Sequence, residues 1–270
     1  MQRKSGSLLC IGLDTDIARI PKNLARGSDP VADFNRRIID ATSDLVCAYK
    51  LNLAFYEAGG ERGLRSLQKT LAHIPDGIIT IGDGKRGDIR NTSELYARAL
   101  FVELGFDACT VSPYMGRDSV EPFLRNRAKG VFVLAMTSNP GAEDFQHLRI
   151  AGRPLHEHVM ESVVKWNTRQ NCGLVVGATR PRQLERARMI APDMPFLIPG
   201  VGAQGGDTKA SVRHGCDRHG EMAIMNAGRS IIYASSGRDF ARAARASATR
   251  LHEEICTYRR RFFDRDPADG

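Results

Sequence analysis

The sequence predicts an α/β protein that folds as a single (β/α)8 TIM barrel spanning residues 1–270. Short apolar segments alternate with helical patterns eight times along the chain. The apolar segments are continuous, as in parallel strands that are buried on both faces. Eight strand–helix units need roughly 250 residues, which this chain supplies. A doubly wound open sheet is the structural alternative, but it normally has fewer strands, and no G-x-G-x-x-G follows the first apolar segment.

Eight apolar segments are the predicted strands of the barrel. They are residues 8–13, 45–51, 78–81, 108–111, 131–136, 173–176, 195–198 and 223–225 or slightly beyond. Each is four to seven residues long or close to it, which suits a strand better than a helix. The sequence therefore predicts a parallel sheet whose strands follow one another along the chain.

Helical spacing fills the intervals between these segments. Apolar residues recur every three or four positions in two clear examples, which are Phe34, Ile38, Ala41 and Leu45 after the first strand, and Phe240, Ala244, Ala248, Leu251 and Ile255 near the end. Asn91 with Glu94 predicts a capping box at the start of the helix that follows the third strand. Residues 258–270 predict a charged, loosely ordered tail.

The chain is basic, with a formal net charge of +8. A basic balance favours anionic partners, which include nucleic acids and phosphorylated small molecules. The sequence contains no RNP-type aromatic motif, zinc-finger spacing or basic zipper. Most of the charge is therefore assigned to a solvated surface, and no nucleic-acid partner is predicted.

Cysteine usage and hydropathy predict a cytoplasmic protein. The six cysteines form no C-x-x-C pair and no metal-ligand spacing, and three of them lie inside predicted strands. Such cysteines are typical of small core residues in a reducing compartment. Residues 1–7 lack the apolar core of a signal peptide, and no apolar run approaches the ~18 residues of a membrane span.

The segment after the third predicted strand contains the most informative motif. Asp83, Lys85 and Asp88 place two carboxylates and an ammonium group within six residues of a strand end. Ionisable groups this close are expensive to desolvate unless they pair or take part in chemistry, and their proximity shifts their pKa values. The alternative is a solvated loop whose charges are incidental.

Residues at the carboxyl ends of barrel strands converge on one mouth, where TIM-barrel enzymes place their active sites. Asp14 and Lys50 end the first two strands. Each alone is more typical of a turn residue or a lysine at the rim. With Asp83 and Lys85 they can form an alternating array in which each charge offsets the next.

The last two strand–helix units have the features of a phosphate site. The turn after the seventh strand contains Gly200 and Gly202, which allow the backbone to approach a ligand closely. The segment from Asn226 to Ser230 offers backbone N–H groups and the guanidinium of Arg229 to phosphate oxygens. Barrels commonly bind phosphate between units seven and eight. The alternative is a pair of flexible turns with a surface arginine.

These motifs together resemble the orotidine 5′-phosphate decarboxylase family, particularly its longer bacterial branch. The matching segments occur in the family's order and are LCIGLD at 9–14, YKLN at 49–52, AFYE at 54–57, DGKRGDI at 83–89, VSPYMG at 111–116, TSNPG at 137–141, PGVGAQGG at 199–206 and NAGRS at 226–230. The segments TSNPG and PGVGAQ discriminate best, since the spacing of Asp83, Lys85 and Asp88 also occurs in related sugar-phosphate enzymes.

The resemblance implies decarboxylation of orotidine 5′-monophosphate to uridine 5′-monophosphate and CO2 in de novo pyrimidine biosynthesis. It implies that Lys85 protonates carbon 6 of the pyrimidine while Asp83 lies against the substrate carboxylate. Lys50 is expected to hold both residues in register, and Asp14 to bind the ribose hydroxyls. No metal ion or organic cofactor is expected.

The remaining roles also come from the resemblance. Ser138 is expected to contact the pyrimidine. The other implied ligands of the substrate and its phosphate are Pro199, Gly200, Gln204, Gly228 and Arg229. Asp88, which is counted with the catalytic residues, and Thr92 are expected to reach the active site of a neighbouring subunit. The protein is therefore expected to be a homodimer with shared active sites.

Two other functions remain open on the sequence. A metal-dependent sugar-phosphate lyase or synthase of the same superfamily would also use Asp83, Lys85 and Asp88, together with a divalent cation. A basic barrel that binds RNA or another anion without catalysis would show binding that weakens steeply with salt. That second function leaves the alternating charge array unexplained.

Overall fold

The computed structural model describes residues 2–25, 27–178, 180–202 and 207–264. In this part of the chain eight parallel strands close into one barrel, each paired with the next barrel strand along the chain. The barrel strands are β1 (Leu9–Gly12), β2 (Ala48–Asn52), β3 (Ile79–Arg86), β4 (Ala108–Val111), β5 (Gly130–Met136), β8 (Cys172–Val176), β9 (Phe196–Pro199) and β10 (Ala223–Ala227). A small antiparallel hairpin, β6 (Arg149–Ile150) and β7 (Arg153–Pro154), lies in the connection after β5. The fold class predicted from the sequence is confirmed.

Helices surround the barrel and carry the chain from one strand to the next. They are α1 (Gln2–Ser5), α2 (Pro30–Thr42), α3 (Leu53–Glu57), α4 (Gly60–His73), α5 (Arg90–Arg98), α6 (Arg117–Leu124), α7 (Leu155–Trp166), α8 (Pro181–Ile190), α9 (Thr208–Gly215), α10 (Arg229–Ile232) and α11 (Phe240–Phe263). The apolar stripe predicted for the last helix is buried along its whole length. Within the described ranges, no helix combines the length and the apolar character that crossing a membrane requires.

Two apolar layers hold the barrel together. The larger lies between the strands and the helices, and the smaller fills the barrel interior with side chains that include Ala48, Ile81, Phe132, Leu197 and Ile224. This second layer fills the interior of the barrel with side chains, so the barrel is a packed core and not a pore. A ligand therefore approaches from the mouth.

Three details differ from the sequence-based expectations. Strand β3 continues through Arg86, so that Asp83 and Lys85 belong to the strand itself. The predicted capping box is wrong: Ile89 caps α5 without a side-chain hydrogen bond, and the Ser93 hydroxyl instead donates to the Asp88 carbonyl. The loosely ordered tail predicted from residue 258 is also wrong in its start, because α11 continues to residue 263; residues 265–270 lie outside the described residues.

A buried amide fastens the loop after β1 to the helices beneath it. Asn35 in α2 is fully buried, and its Nδ2 donates to Tyr56 Oη at 3.0 Å and to Thr70 Oγ1 at 3.1 Å. Its Oδ1 accepts from Thr15 Oγ1 at 2.6 Å. Tyr56 Oη in turn donates to the Leu13 carbonyl at 2.8 Å. These bonds flank residue 14 on both sides and therefore fix the position of its carboxylate.

We expect Asn35→Ala to lower the free energy of unfolding by about 2–4 kcal/mol, because it removes three hydrogen bonds from a buried network and takes away the acceptor of the Thr15 hydroxyl. Chemical denaturation measures this loss. Asn23→Ala, at an exposed asparagine, is the matched control and should change stability by less than about 0.5 kcal/mol. Equal effects of the two substitutions would contradict the structural role of the Asn35 network.

Candidate active site

A cavity of about 800 Å³ opens at the carboxyl ends of the strands. Its walls contain most of the residues that the sequence assigned to a site. Those that line it are Asp14, Lys50, Asp83, Pro199, Gly200, Gly228 and Arg229. The charged array comes from β1 to β3 and the glycine-rich turns from β9 and β10, so the cavity has an ionic side and a glycine-rich side.

The ionic side contains the alternating array that the sequence predicted. Lys50 Nζ lies 2.8 Å from Asp83 Oδ2 and 3.5 Å from Asp14 Oδ1. Lys85 Nζ lies 2.8 Å from Asp83 Oδ1. Strand register brings the groups together, because Gly12 pairs with Lys50 and Asn52 pairs with Asp83.

Burial and pairing act in opposite directions on these groups. Burial by itself would raise the pKa of Asp83, but the ammonium groups of Lys50 and Lys85 hold it well below its ordinary range. Burial would lower the pKa of Lys50, but the carboxylates of Asp14 and Asp83 raise it above its ordinary value. Both residues therefore stay charged between about pH 4 and pH 10.

Lys85 lies in a bulge of β3. Gly82 pairs with Cys109 and Arg86 pairs with Val111, so three residues of β3 lie opposite one residue of β4, Thr110. The Lys85 backbone has φ +45°, a conformation that residues other than glycine rarely adopt. Its side chain is 44% exposed and extends to Asp83 from the edge of the array. Bulges of this kind commonly re-aim a side chain next to an active site.

Asp88 and Thr92 lie beyond the array in the same subunit. The Asp88 carboxylate accepts from the Ile89 N–H at 2.7 Å, and the described residues contain no ion pair between Asp88 and Lys85. Thr92 is half-buried in the first turn of α5. Neither residue lines the cavity, so within one chain the structure does not bring them to the array.

The glycine-rich side is built from turns in which glycines adopt positive φ values. Gly200 and Gly202 have φ values of +86° and +83°, which only glycine adopts without strain. The N–H of Gly200 donates to the Asn226 carbonyl at 3.1 Å and so ties this turn to β10. Arg229 begins α10 with an exposed side chain over the cavity. Gln204 lies outside the described residues.

Ser138 lies near the cavity but does not form its wall. Its side chain is exposed after β5, next to Gly177 at the end of β8. Gln146 braces the residue before it, since Gln146 Oε1 accepts from the Thr137 N–H at 2.8 Å and Gln146 Nε2 donates to Thr137 Oγ1 at 2.8 Å. The described residues thus place Ser138 on a braced loop above the strand ends.

Sequence reasoning missed two residues at this mouth. Thr110 is buried, and its hydroxyl donates to Asp83 Oδ1 at 2.8 Å while accepting from the Lys85 N–H at 3.0 Å. The available signal was its spacing from the inward-facing Ala108, because residues two apart in a strand share a face. Arg19 lines the cavity with its guanidinium 3.8 Å from the centre of the Tyr233 ring. No local pattern distinguishes Arg19 from a surface arginine.

The described residues do not form a metal-binding site. In the described ranges, no three histidine, cysteine, aspartate or glutamate side chains are arranged to hold a metal ion. The nearest candidates, Asp14 and Asp83, are separated by the ammonium group of Lys50, which is already paired with both.

Comparison with known proteins agrees with this geometry. Residues 7–244 match the family model described as Orotidine 5'-phosphate decarboxylase / HUMPS family. The chain belongs to this family. The matched residues include the whole barrel and every site residue named above, so the resemblance inferred from the motifs is confirmed.

Individual members of the orotidine 5′-phosphate decarboxylase family are similar over nearly the whole chain. The orotidine 5′-phosphate decarboxylase of Dehalococcoides mccartyi is 49% identical over 263 residues, which is 96% of each chain. That of Herpetosiphon aurantiacus is 51% identical over 244 residues, or 90% of each chain. The solved structure of Leishmania donovani OMP decarboxylase has a TM-score of 0.84 and 40% identity, covering 96% of each chain.

We expect Asp83→Asn to lower the free energy of unfolding at neutral pH by about 2–3 kcal/mol, because two ammonium groups lose their shared carboxylate. The pKa of Asp83 is lower in the folded than in the unfolded chain. Its carboxylate therefore contributes stability above the unfolded-chain pKa near 4, and this contribution is lost as the pH falls through the folded-state pKa.

Urea denaturation from about pH 7 to about pH 3 measures this dependence. The wild type should keep its full advantage over Asp83→Asn down to about pH 4 and lose part of it below, since the folded-state pKa of Asp83 lies below this range. Asp76→Asn, at an exposed aspartate before β3, is the control and should follow the wild type throughout. A difference between wild type and Asp83→Asn that stays constant across this range would contradict the assignment.

Proposed function

We propose that this protein is a carboxy-lyase that decarboxylates orotidine 5′-monophosphate to uridine 5′-monophosphate in pyrimidine biosynthesis. The observation that carries the proposal is the Asp14–Lys50–Asp83–Lys85 array, whose first three members line the same cavity as the glycine-rich turns. Lys85 does not line the cavity and joins the array through Asp83. Membership of the family and the names of relatives that are about half identical support the same reaction.

The chemistry follows from the charges at the ionic side. The bond between carbon 6 and the carboxylate carbon breaks, CO2 leaves, and the electron pair stays on carbon 6. The Lys85 ammonium stabilises this negative charge as it forms and then transfers a proton to carbon 6. Asp83 holds that ammonium group in position at 2.8 Å, and Lys50 holds Asp83 from the opposite side. Solvent returns a proton to the exposed Lys85.

The glycine-rich side binds the phosphate of the substrate and so supplies binding energy away from the reacting atoms. Arg229 and the turn at Gly228 bind the phosphate oxygens, together with Pro199 and Gly200 at the end of β9. Gln204, which lies outside the described residues, is proposed as a further phosphate ligand. Asp14 binds the ribose hydroxyls, and Ser138 contacts the pyrimidine from its braced loop. Contacts to a distant phosphate can offset the cost of bringing the substrate carboxylate close to Asp83.

Turnover of orotidine 5′-monophosphate, followed as loss of its ultraviolet band, tests the proposal. Lys85→Ala should remain folded and lower kcat by at least about 1,000-fold, because it lacks the proton donor. Lys165→Ala, at an exposed lysine on α7, is the control and should keep full activity. Near-normal turnover by a folded Lys85→Ala protein would remove Lys85 from the mechanism.

A metal-dependent sugar-phosphate lyase or synthase of the same superfamily is the competing function. Lys50 between the two carboxylates favours the decarboxylase, since the ammonium group occupies the position where a cation would otherwise balance them. Activity toward orotidine 5′-monophosphate that survives a chelator supports the decarboxylase, and activity on sugar phosphates that the chelator abolishes supports the competitor.

We also propose a cytoplasmic location, since all six cysteines are free thiols.

The proposed enzyme is a homodimer in which each active site uses both chains. Asp88 and Thr92 lie outside the cavity of their own chain, on the segment that leads into α5 and on its first turn. This segment and the neighbouring loop after β4 expose large apolar side chains, with exposed fractions of 60% for Ile89, 65% for Leu95 and 81% for Tyr114. Exposed apolar groups close to polar functional residues are typical of an interface between protein chains.

Subunit mixing tests the shared site. Lys85→Ala and Asp88→Ala homodimers should each be nearly inactive. A mixed dimer has one site with both defects and one intact site, so refolding equal amounts together should restore roughly a quarter of native activity. Mixing Lys85→Ala with Asp83→Asn is the control, since both changes affect the same subunit's part of each site, and it should restore nothing. If both mixtures stay inactive although mixed dimers form, Asp88 serves its own chain.

A further inference from the structure

We propose that Thr110 is the positioning residue that sets the relative placement of Asp83 and Lys85. The inference rests on the proposed function and adds a residue that lies outside the family motifs identified in the sequence. Thr110 is 1% exposed on β4, and it does not line the cavity. It therefore acts through the two charged residues beside it.

The strand pairing shows why a residue is needed at this point. The bulge leaves Asp83, Gly84 and Lys85 opposite the single residue Thr110, so the regular ladder between β3 and β4 is interrupted there. The side chain of Thr110 supplies bonds that the ladder omits. Its hydroxyl accepts from the Lys85 N–H at 3.0 Å and so satisfies a backbone group that the bulge removes from normal pairing.

The same hydroxyl also orients the carboxylate. It donates its proton to Asp83 Oδ1 at 2.8 Å, the oxygen that Lys85 Nζ contacts at 2.8 Å. One oxygen atom thus connects the Lys85 backbone to the carboxylate that holds the Lys85 side chain. A hydroxyl can donate once while accepting from another group, which a valine of similar shape cannot do.

The backbone of Lys85 makes this connection consequential. A lysine at φ +45° is strained, and such a conformation persists only where surrounding contacts impose it. Without the hydroxyl, the Lys85 N–H loses its acceptor and Asp83 Oδ1 loses a donor at the same time. The bulge can then relax, which moves the ammonium group away from the reacting carbon.

The experiment compares three substitutions at Thr110 with one at Thr80. Thr110→Val keeps the branched shape and removes the hydroxyl, Thr110→Ser keeps the hydroxyl, and Thr110→Ala serves if the valine variant does not fold. Thr80→Val is the matched control. Thr80 Oγ1 likewise donates to a carboxylate, Asp107 Oδ2 at 2.9 Å, and accepts from the Asp107 N–H at 3.1 Å, but this pair lies at the opposite end of the barrel.

We expect Thr110→Val to lower kcat by roughly 10- to 100-fold, since small misplacements of a catalytic group have effects of this size. The KM for orotidine 5′-monophosphate and inhibition by uridine 5′-monophosphate should change little, because the phosphate and ribose contacts come from other strands. Thr110→Ser should restore most of kcat. Thr80→Val should keep kcat even where its melting temperature falls as far as that of Thr110→Val.

The outcomes separate this inference from the proposed function. A wild-type protein that does not act on orotidine 5′-monophosphate rejects the function itself. An active wild type with an equally active, folded Thr110→Val or Thr110→Ala rejects the positioning role. Loss of kcat that Thr110→Ser does not restore, or that Thr80→Val shares, assigns the effect to general stability and also rejects it. A crystal structure of Thr110→Val should show Lys85 displaced from its present backbone conformation.

Discussion

A buried carboxylate between two ammonium groups is the constraint around which this barrel mouth is arranged. Asp83 is only 7% exposed, and burial of an unpaired carboxylate at that depth would cost several kcal/mol. It accepts from Lys50 Nζ, Lys85 Nζ and Thr110 Oγ1, each at 2.8 Å. Three strands must therefore end in register before any of these charges is compensated. The same requirement that stabilises the mouth also assembles the groups that can react.

The packed interior below the array strengthens its electrostatic effect. Small and branched apolar side chains fill the barrel beneath Lys50 and Asp83 and exclude water from that side. Cys10 contacts Asn226 Oδ1 at 3.5 Å in this layer, and burial raises the pKa of its thiol well above the ordinary value. The array therefore has apolar side chains on one side and the open mouth on the other, so its charges act mainly on a ligand that binds at the mouth.

The function is a property of the mouth, because a TIM barrel alone supports many reactions. The ionic side comes from the first half of the chain and the glycine-rich side from the last two strands, at opposite ends of the sequence. Barrel closure joins them, since β1 pairs with β10 through Cys10 and Asn226. This connection brings the glycine-rich turns and the charged array to one cavity.

Periodicity and motif order were sufficient to predict the eight strands, the barrel and most residues of the cavity. Apolar segments of strand length repeat with helices between them, and the residues that end those segments converge whatever the detailed packing. Local patterns were insufficient for Thr110, for the extension of β3 through Arg86 and for the start of α5. The first two features depend on a bulge, which arises only when β3 pairs with β4 and three residues oppose one. Tertiary structure decided them because a hydrogen bond between strands joins residues whose separation along the chain carries no local signal.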